Sequence, residues 1–249
     1  GVLPLSPSLD SIGPLARSVE CCALLDAVLA GEAPRVLQAA NLAGVRLALP
    51  RTRVFDGMDA TVGAAFEAAC LRLSDAGAQV VGVDVPEFAE LAHLNRAGGF
   101  TASESWAWHA SLAEARGAEY DPRAIPRIRG GAGMSAAGYI ELLAGRRRWI
   151  DAVTRRLAQA NASAFLMPTV PVVAPRLADL EADDALYGST NVLILRNPTL
   201  INFLDGCALS LPCHREGDAP VGLMLAACGG HDGELLGQGA AVEAVLQAR

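Results

Sequence analysis

Between Val45 and Pro86 the sequence changes its hydrophobic period twice, and this stretch constrains the fold more than any other. Val45-Arg46-Leu47-Ala48-Leu49-Pro50 reads as a short strand with buried apolar residues. Asp59 is a good helix cap, and Val62, Ala65, Phe66, Ala69 and Leu73 recur at spacings of three and four, which predicts a helix ending at Gly77. Gln79 to Val85 is apolar and β-branched and stops at Pro86. Strand, helix and strand in this order form a βαβ unit, which requires parallel strands and a right-handed crossover.

The remainder supplies more of both element types. Gly13-Pro14 suggests a turn with proline at a first helical position, followed by a stripe of Leu15, Val19, Ala23 and Leu24. Asp10, just ahead of it, is placed to accept backbone N–H bonds or to pair with Arg17. Glu87 to Tyr120 reads as helix broken at Gly98-Gly99, Pro122 to Gly133 as irregular, and Ser135 as the start of a long helix reaching about Asn161. Ala164 to Met167 is a buried-type strand. Thr169 to Tyr187 reads as a proline-rich, then acidic, exposed loop, after which Ser189 to Phe203 returns to the core. Ala208–Leu211 and Val221–Leu225 form a hairpin, and His231 opens a final helix. The expected fold is α/β, a mixed central sheet with helices on both faces.

Composition narrows the function. At 249 residues, 52% hydrophobic and 19% charged, the chain has a large core, yet no apolar run is long enough to cross a bilayer. A net charge of −7 and a pI near 5.1 argue against nucleic acid as a partner. The arginines at 146–148 and 155–156 read as a solvated helix face. Six cysteines without C-x-x-C spacing read as buried free thiols of a reducing cytoplasm, and no secretory signal is evident in the first residues. No metal or cofactor motif is present; Arg129-Gly130-Gly131-Ala132-Gly133 lacks the ending and preceding strand of a phosphate loop and reads as a linker.

The string Pro4-Leu5-Ser6-x-Ser8-Leu9-Asp10-x-x-Gly13-Pro14-x-Ala16-Arg17-Ser18-Val19 resembles the closing segment of the amidase signature, found in serine amidases that hydrolyse C–N bonds. Val45 to Pro86 is similar to that family's strand-helix-strand segment. Phe165 to Pro175 resembles its proline-rich strand exit, and Asn202 to Pro212 with Val221 to Leu225 its late hairpin. The resemblance spans essentially the whole sequence. One departure stands out: Asp205 occupies a glycine position of the family pattern, with Gly206 one place later, and Cys207 replaces a proline.

The resemblance implies an α/β/α amidase fold and a reaction in which a neutral lysine, a bridging serine and a nucleophilic serine cleave an amide, with backbone N–H groups steadying the oxyanion. In that family all three groups precede the signature's end. Here all 20 basic residues counted as Lys+Arg are arginine, and no Ser-Ser pair occurs. Residues 1–249 are therefore expected to be the carboxy-terminal portion of one amidase-signature domain, inactive alone, whose partner is the amino-terminal catalytic portion. The alternative is a non-catalytic scaffold or binding subunit derived from the same fold. Trp106, Thr199, Asn202 and Phe203 are expected to form a wall of the substrate pocket, and the substrate a small amide. No acidic pole for an ammonium group is evident around Ile194-Leu195, which favours a simple amide or a urea-derived substrate. An incomplete sheet would leave an open strand edge and favour a homodimer. Ser105 and His109, four apart on one helix, suggest a hydrolase pair, but no G-x-S-x-G elbow accompanies them.

Overall fold

The computed structural model describes residues 2–34 and 36–248. Its first helix, α1 (Val19–Ala30), begins five residues after Pro14: Ser18 is extended and its Oγ accepts from the Cys21 amide at 3.2 Å. Leu15, expected on the helix's apolar stripe, is 99% exposed. The serine cap supplies a hydrogen-bond acceptor to an orphan N–H, which proline at the first helical position cannot do, and so it decides where the helix begins. Gly31, at φ +73°, closes the helix by donating back to Ala27 and Val28 carbonyls.

The βαβ unit forms as expected. β1 (Arg46–Pro50) and β2 (Gln79–Val83) are parallel, Arg46 opposite Gln79 and Pro50 opposite Val83. Between them α2 (Ala60–Asp75) is capped by Asp59, which accepts from the Val62 amide at 2.7 Å, and buries Val62, Phe66, Ala69 and Leu73.

Two helices follow, α3 (Glu87–Leu94) and α4 (Gly99–Arg116), split at Gly98 and Gly99, both with positive φ. The segment expected to be irregular contains a short helix, α5 (Ile125–Arg129), and a 3-10 turn at Gly130–Gly133. Ile125 and Ile128 are buried, so tertiary packing stabilises a segment too short to be helical by propensity alone. Gly131 is no linker: a Cβ there would lie 1.9 Å from the Ala102 carbonyl oxygen of α4. The long helix α6 (Ala136–Gln159) and the fully buried strand β3 (Ala164–Pro168) come next.

The acidic stretch expected to be an exposed loop folds instead into α7 (Leu177–Ala182) and the start of α8 (Asp184–Phe203). The Asp183 carboxylate accepts from Ala185 and Leu186 amides at 2.8 and 2.9 Å. Acidic residues at a helix N-terminus satisfy its free N–H groups and complement its dipole, so the same charges that suggest a loop start this helix. The hairpin β4 (Cys207–Pro212) and β5 (Gly222–Ala227) is antiparallel, and α9 (Asp232–Gln247) ends the chain.

Among the described residues the five strands make one mixed sheet in the order β2-β1-β3-β5-β4. Side chains alternate across it. Leu47, Leu166, Leu223 and Leu225 join Phe66, Leu73, Leu235 and Val242 of α2 and α9 in one core. Phe165 points the other way and meets Phe88 with ring centroids 5.7 Å apart. This is the expected α/β architecture, with helices against both faces of the sheet.

The chain divides into two compact units, one of Gly1–Ile12 with Ala89–Ala152 and one of Gly13–Phe88 with Val153–Arg249. The sheet lies in the second. The cysteines depart from expectation: all six are free thiols, but Cys21 is exposed and the other five are partly so.

Candidate functional site

In the first unit the signature segment is a loop wrapped on Asp10 and on Glu104 of α4. Asp10 accepts from the Leu5 and Ser6 amides at 2.9 and 3.1 Å, one of the two roles its position suggested. Glu104 Oε2 accepts from Ser6 Oγ at 2.6 Å and from the Ser8 amide at 3.0 Å. Its Oε1 accepts from Ser8 Oγ and, at 2.6 Å, from Tyr139 Oη of α6. Both serines of the signature are thus used to hold one carboxylate. Burial works against its charge, but the hydroxyls of Ser6, Ser8 and Tyr139 and the Ser8 amide outweigh it and hold the Glu104 carboxyl below the usual range. Tyr139 is pushed the other way, by burial and by its bond to Glu104. Arg146 completes the wrap, donating to the Ser8 carbonyl at 2.9 Å with its guanidinium over the Phe100 ring.

Trp106 lies two residues along α4 from Glu104, half-buried. A Cβ at Gly131 would come within 2.8 Å of Trp106 Cβ, so the glycine lets the 3-10 turn close on this part of the helix. Ser105 and His109 are both buried. Ser105 Oγ donates back to the Ala102 carbonyl at 3.1 Å, and His109 Nδ1 pairs with Tyr120 Oη at 2.7 Å. These contacts hold a helix and an aromatic pair rather than an exposed nucleophile.

In the second unit Thr199, Asn202 and Phe203 occupy the last turns of α8, at spacings that place them on one side of the helix. Thr199 and Asn202 are half-buried, whereas Phe203 is 1% exposed. The structure therefore groups three of the four expected pocket residues on one helix and puts Trp106 in the other unit. Beyond them the chain turns at Asp205, whose φ of +57° is the left-handed conformation natural to the glycine of the family pattern. Gly206 follows because a Cβ there would sit 2.5 Å from the Ala227 carbonyl oxygen.

One turn earlier α8 carries residues that no sequence motif singles out. Asn197, fully buried, donates through Nδ2 to the Val54 carbonyl at 3.2 Å and to the Pro168 carbonyl at 2.9 Å. Arg196 donates to Asn197 Oδ1 at 3.0 Å, to the Val54 carbonyl at 2.7 Å and to the Asp56 carbonyl. Burial, with Arg53 nearby, lowers the Arg196 pKa, and Asp56 pulls the other way. Asp59, besides capping α2, accepts from the Val173 amide at 2.7 Å. Together they fasten the loops leaving β1 and β3 at one end of the sheet. Nearby, Thr169 and Ser210 hydroxyls meet at 2.6 Å over Gly222. Only the position of the Arg-Asn pair over two strand ends could have revealed its role.

No buried side-chain nitrogen or oxygen among the described residues lacks a partner, and none of their His, Cys, Asp and Glu side chains form a group able to hold a metal ion. None of their helices is long and apolar enough to cross a membrane.

Comparison with known proteins agrees with this geometry. The chain is 33% identical over 255 residues to 2-amino-5-chloromuconic acid deaminase of Comamonas testosteroni, covering 99% of this chain and 53% of that protein. It is 42% identical over 91 residues to indoleacetamide hydrolase of Allorhizobium ampelinum, covering 36% of this chain and 19% of that one. Among solved structures, one described as a crystal structure of amidase superposes with a TM-score of 0.81 at 24% identity, over 98% of this chain and 55% of that chain. The chain thus spans about half the length of the full-coverage relatives it matches. The family model described as Amidase matches residues 1–236. With the signature loop, the mixed sheet and the late hairpin all in place, the chain belongs to the amidase family.

Proposed function

We propose that this chain is the carboxy-terminal portion of an enzyme that hydrolyses a carboxylic amide to an acid and ammonia or an amine. The observation that carries the reading is the family match over residues 1–236 combined with a chain that holds no lysine and no Ser-Ser pair and spans 53% of the deaminase it resembles. The lysine and both serines of the family mechanism then reside on sequence upstream of Gly1. This portion contributes strands to the sheet and a wall of the substrate pocket. Trp106, Thr199, Asn202 and Phe203 are the proposed wall residues, and a small amide the proposed substrate. An indoleacetamide hydrolase among the relatives supports that substrate class. Six free thiols fit a reducing cytoplasm.

The test is to assay the 249-residue chain for ammonia release from a small amide such as benzamide, alone and joined to its upstream reading frame. Activity only in the joined protein supports the proposal. Activity of the 249 residues alone overturns the lysine-serine mechanism for this chain. A joined protein that remains inactive, or an upstream frame without a lysine and a Gly/Ser-rich run, favours a non-catalytic subunit. That role is consistent with relatives named as a subunit of glutamyl-tRNA(Gln) amidotransferase. The homodimer suggested by an open sheet edge is tested separately by light scattering.

A further inference from the structure

The signature loop is held by a device that the family resemblance does not require. Glu104 lies far along the sequence from Ser6 and Ser8, yet its two oxygens accept four hydrogen bonds: Ser6 Oγ and Ser8 N on Oε2, Ser8 Oγ and Tyr139 Oη on Oε1. Four donors aimed at one carboxyl define its charge state. An ionised carboxylate is acceptor-only and can satisfy all four, whereas a protonated one must donate from one oxygen and so repels a donor there. The charged groups gathered around it are already committed. Asp10, in the same loop, is turned onto the Leu5 and Ser6 amides. Arg146 of α6 is bonded to the Ser8 carbonyl, and Arg129 of α5 reaches the Ala113 carbonyl further along α4. The latch on Glu104 is made of hydroxyls and one amide. Hydroxyls of this kind hold a carboxylate by direction as well as by charge, and their geometry fixes the loop's backbone at Ser6 and Ser8.

We propose that Glu104 is a positioning residue: as a carboxylate it latches the Leu5–Asp10 loop to α4 through Ser6, Ser8 and Tyr139, and so fixes the line along which the chain enters the amidase fold. Its bearing on catalysis rests on the amidase reading given above, because the loop then joins the segment carrying the nucleophile. Ser6 and Ser8 act through Glu104 rather than on substrate, and α6 takes part through Tyr139. The latch opens when Glu104 is protonated and closes when it is ionised.

The test follows the Ser6 and Ser8 backbone amides by NMR in the 249-residue chain, from neutral pH down through the carboxylate range. In the wild type both should shift together in one transition with its midpoint below the ordinary glutamate range. Glu104→Gln should show the acid-form positions of these two amides already at neutral pH, with the α4 amides unchanged. Tyr139→Phe keeps the carboxylate but removes one donor, and should move the midpoint upward; it carries the test should Glu104→Gln not fold. In the protein joined to its upstream segment, Glu104→Gln should lower kcat about tenfold with KM little changed, the loss expected for a hydrogen-bonded charge used in positioning. Loop amides indifferent to Glu104, an unmoved midpoint in Tyr139→Phe, or an unchanged kcat would each overturn the proposal. A joined wild-type protein that hydrolyses no amide would overturn the amidase reading and the positioning role with it, while the amide titration would still report the latch.

Discussion

Asn197 Nδ2 donates to the Pro168 carbonyl at 2.9 Å, which ties the middle of α8 to the end of the central strand β3. The same nitrogen reaches the Val54 carbonyl, so one side chain spans two strand exits. Replacing Asn197 with alanine removes both donors from a fully buried place and leaves a void. The expected cost is about 2–3 kcal/mol of stability, read as a lower urea midpoint with an unchanged slope. A midpoint equal to wild type would show that the loops hold without it.

Acid should loosen the first unit selectively. Because the folded Glu104 carboxyl lies below its unfolded value, its contribution is present above the ordinary glutamate pKa and is lost as pH falls through the folded value. Glu104→Gln should therefore flatten the acid limb of the stability-pH curve, measured by chemical denaturation at successive pH values. An acid limb identical to wild type would show that Glu104 has the same pKa folded and unfolded.

Gly131 and Gly130 are neighbours with opposite demands. A Cβ at Gly131 meets the α4 backbone at Ala102, whereas one at Gly130 meets nothing within 4 Å. Gly131→Ala should cost about 2 kcal/mol or more by forcing the 3-10 turn off α4, and Gly130→Ala about 0.5 kcal/mol or less. Thermal melts of the two variants decide the matter, and equal melting temperatures would contradict the packing described.

The thiols should react in order of exposure and ionisation. Burial, with Cys213 and Glu67 nearby, pushes Cys70 up to about 12. Burial also takes Cys213 to about 11, and burial with Asp232 nearby takes Cys207 to about 11. Thiolate is the reactive form, so at mildly alkaline pH iodoacetamide should label exposed Cys21 first and these three last. Peptide mapping over time gives the order, and early labelling of Cys70 would contradict its burial.

The βαβ unit, the buried strand β3, the late hairpin and the cap at Asp59 could all be read from residue spacing, because each depends on neighbours within a few turns. The acidic start of α8 could not. Asp183 and Asp184 look the same in an exposed loop and at a helix N-terminus, and only the amides of Ala185 and Leu186 distinguish the two. The site was legible in part. The signature loop was visible as a motif, and Asp10 as an acceptor within it, but its anchor Glu104 lies 98 and 96 residues away from the serines it holds.

The local order of amino acids determined the element types, the parallel pairing of β1 with β2 and membership of the amidase family, since periodicity, caps and short motifs are properties of neighbouring residues. Tertiary structure alone decided that two signature serines bind Glu104, that Asn197 bridges two strand exits, and that Gly131 closes on α4. Those contacts join residues distant along the chain. Their energies come from burial and hydrogen-bond geometry, which exist only once the helices and strands have packed.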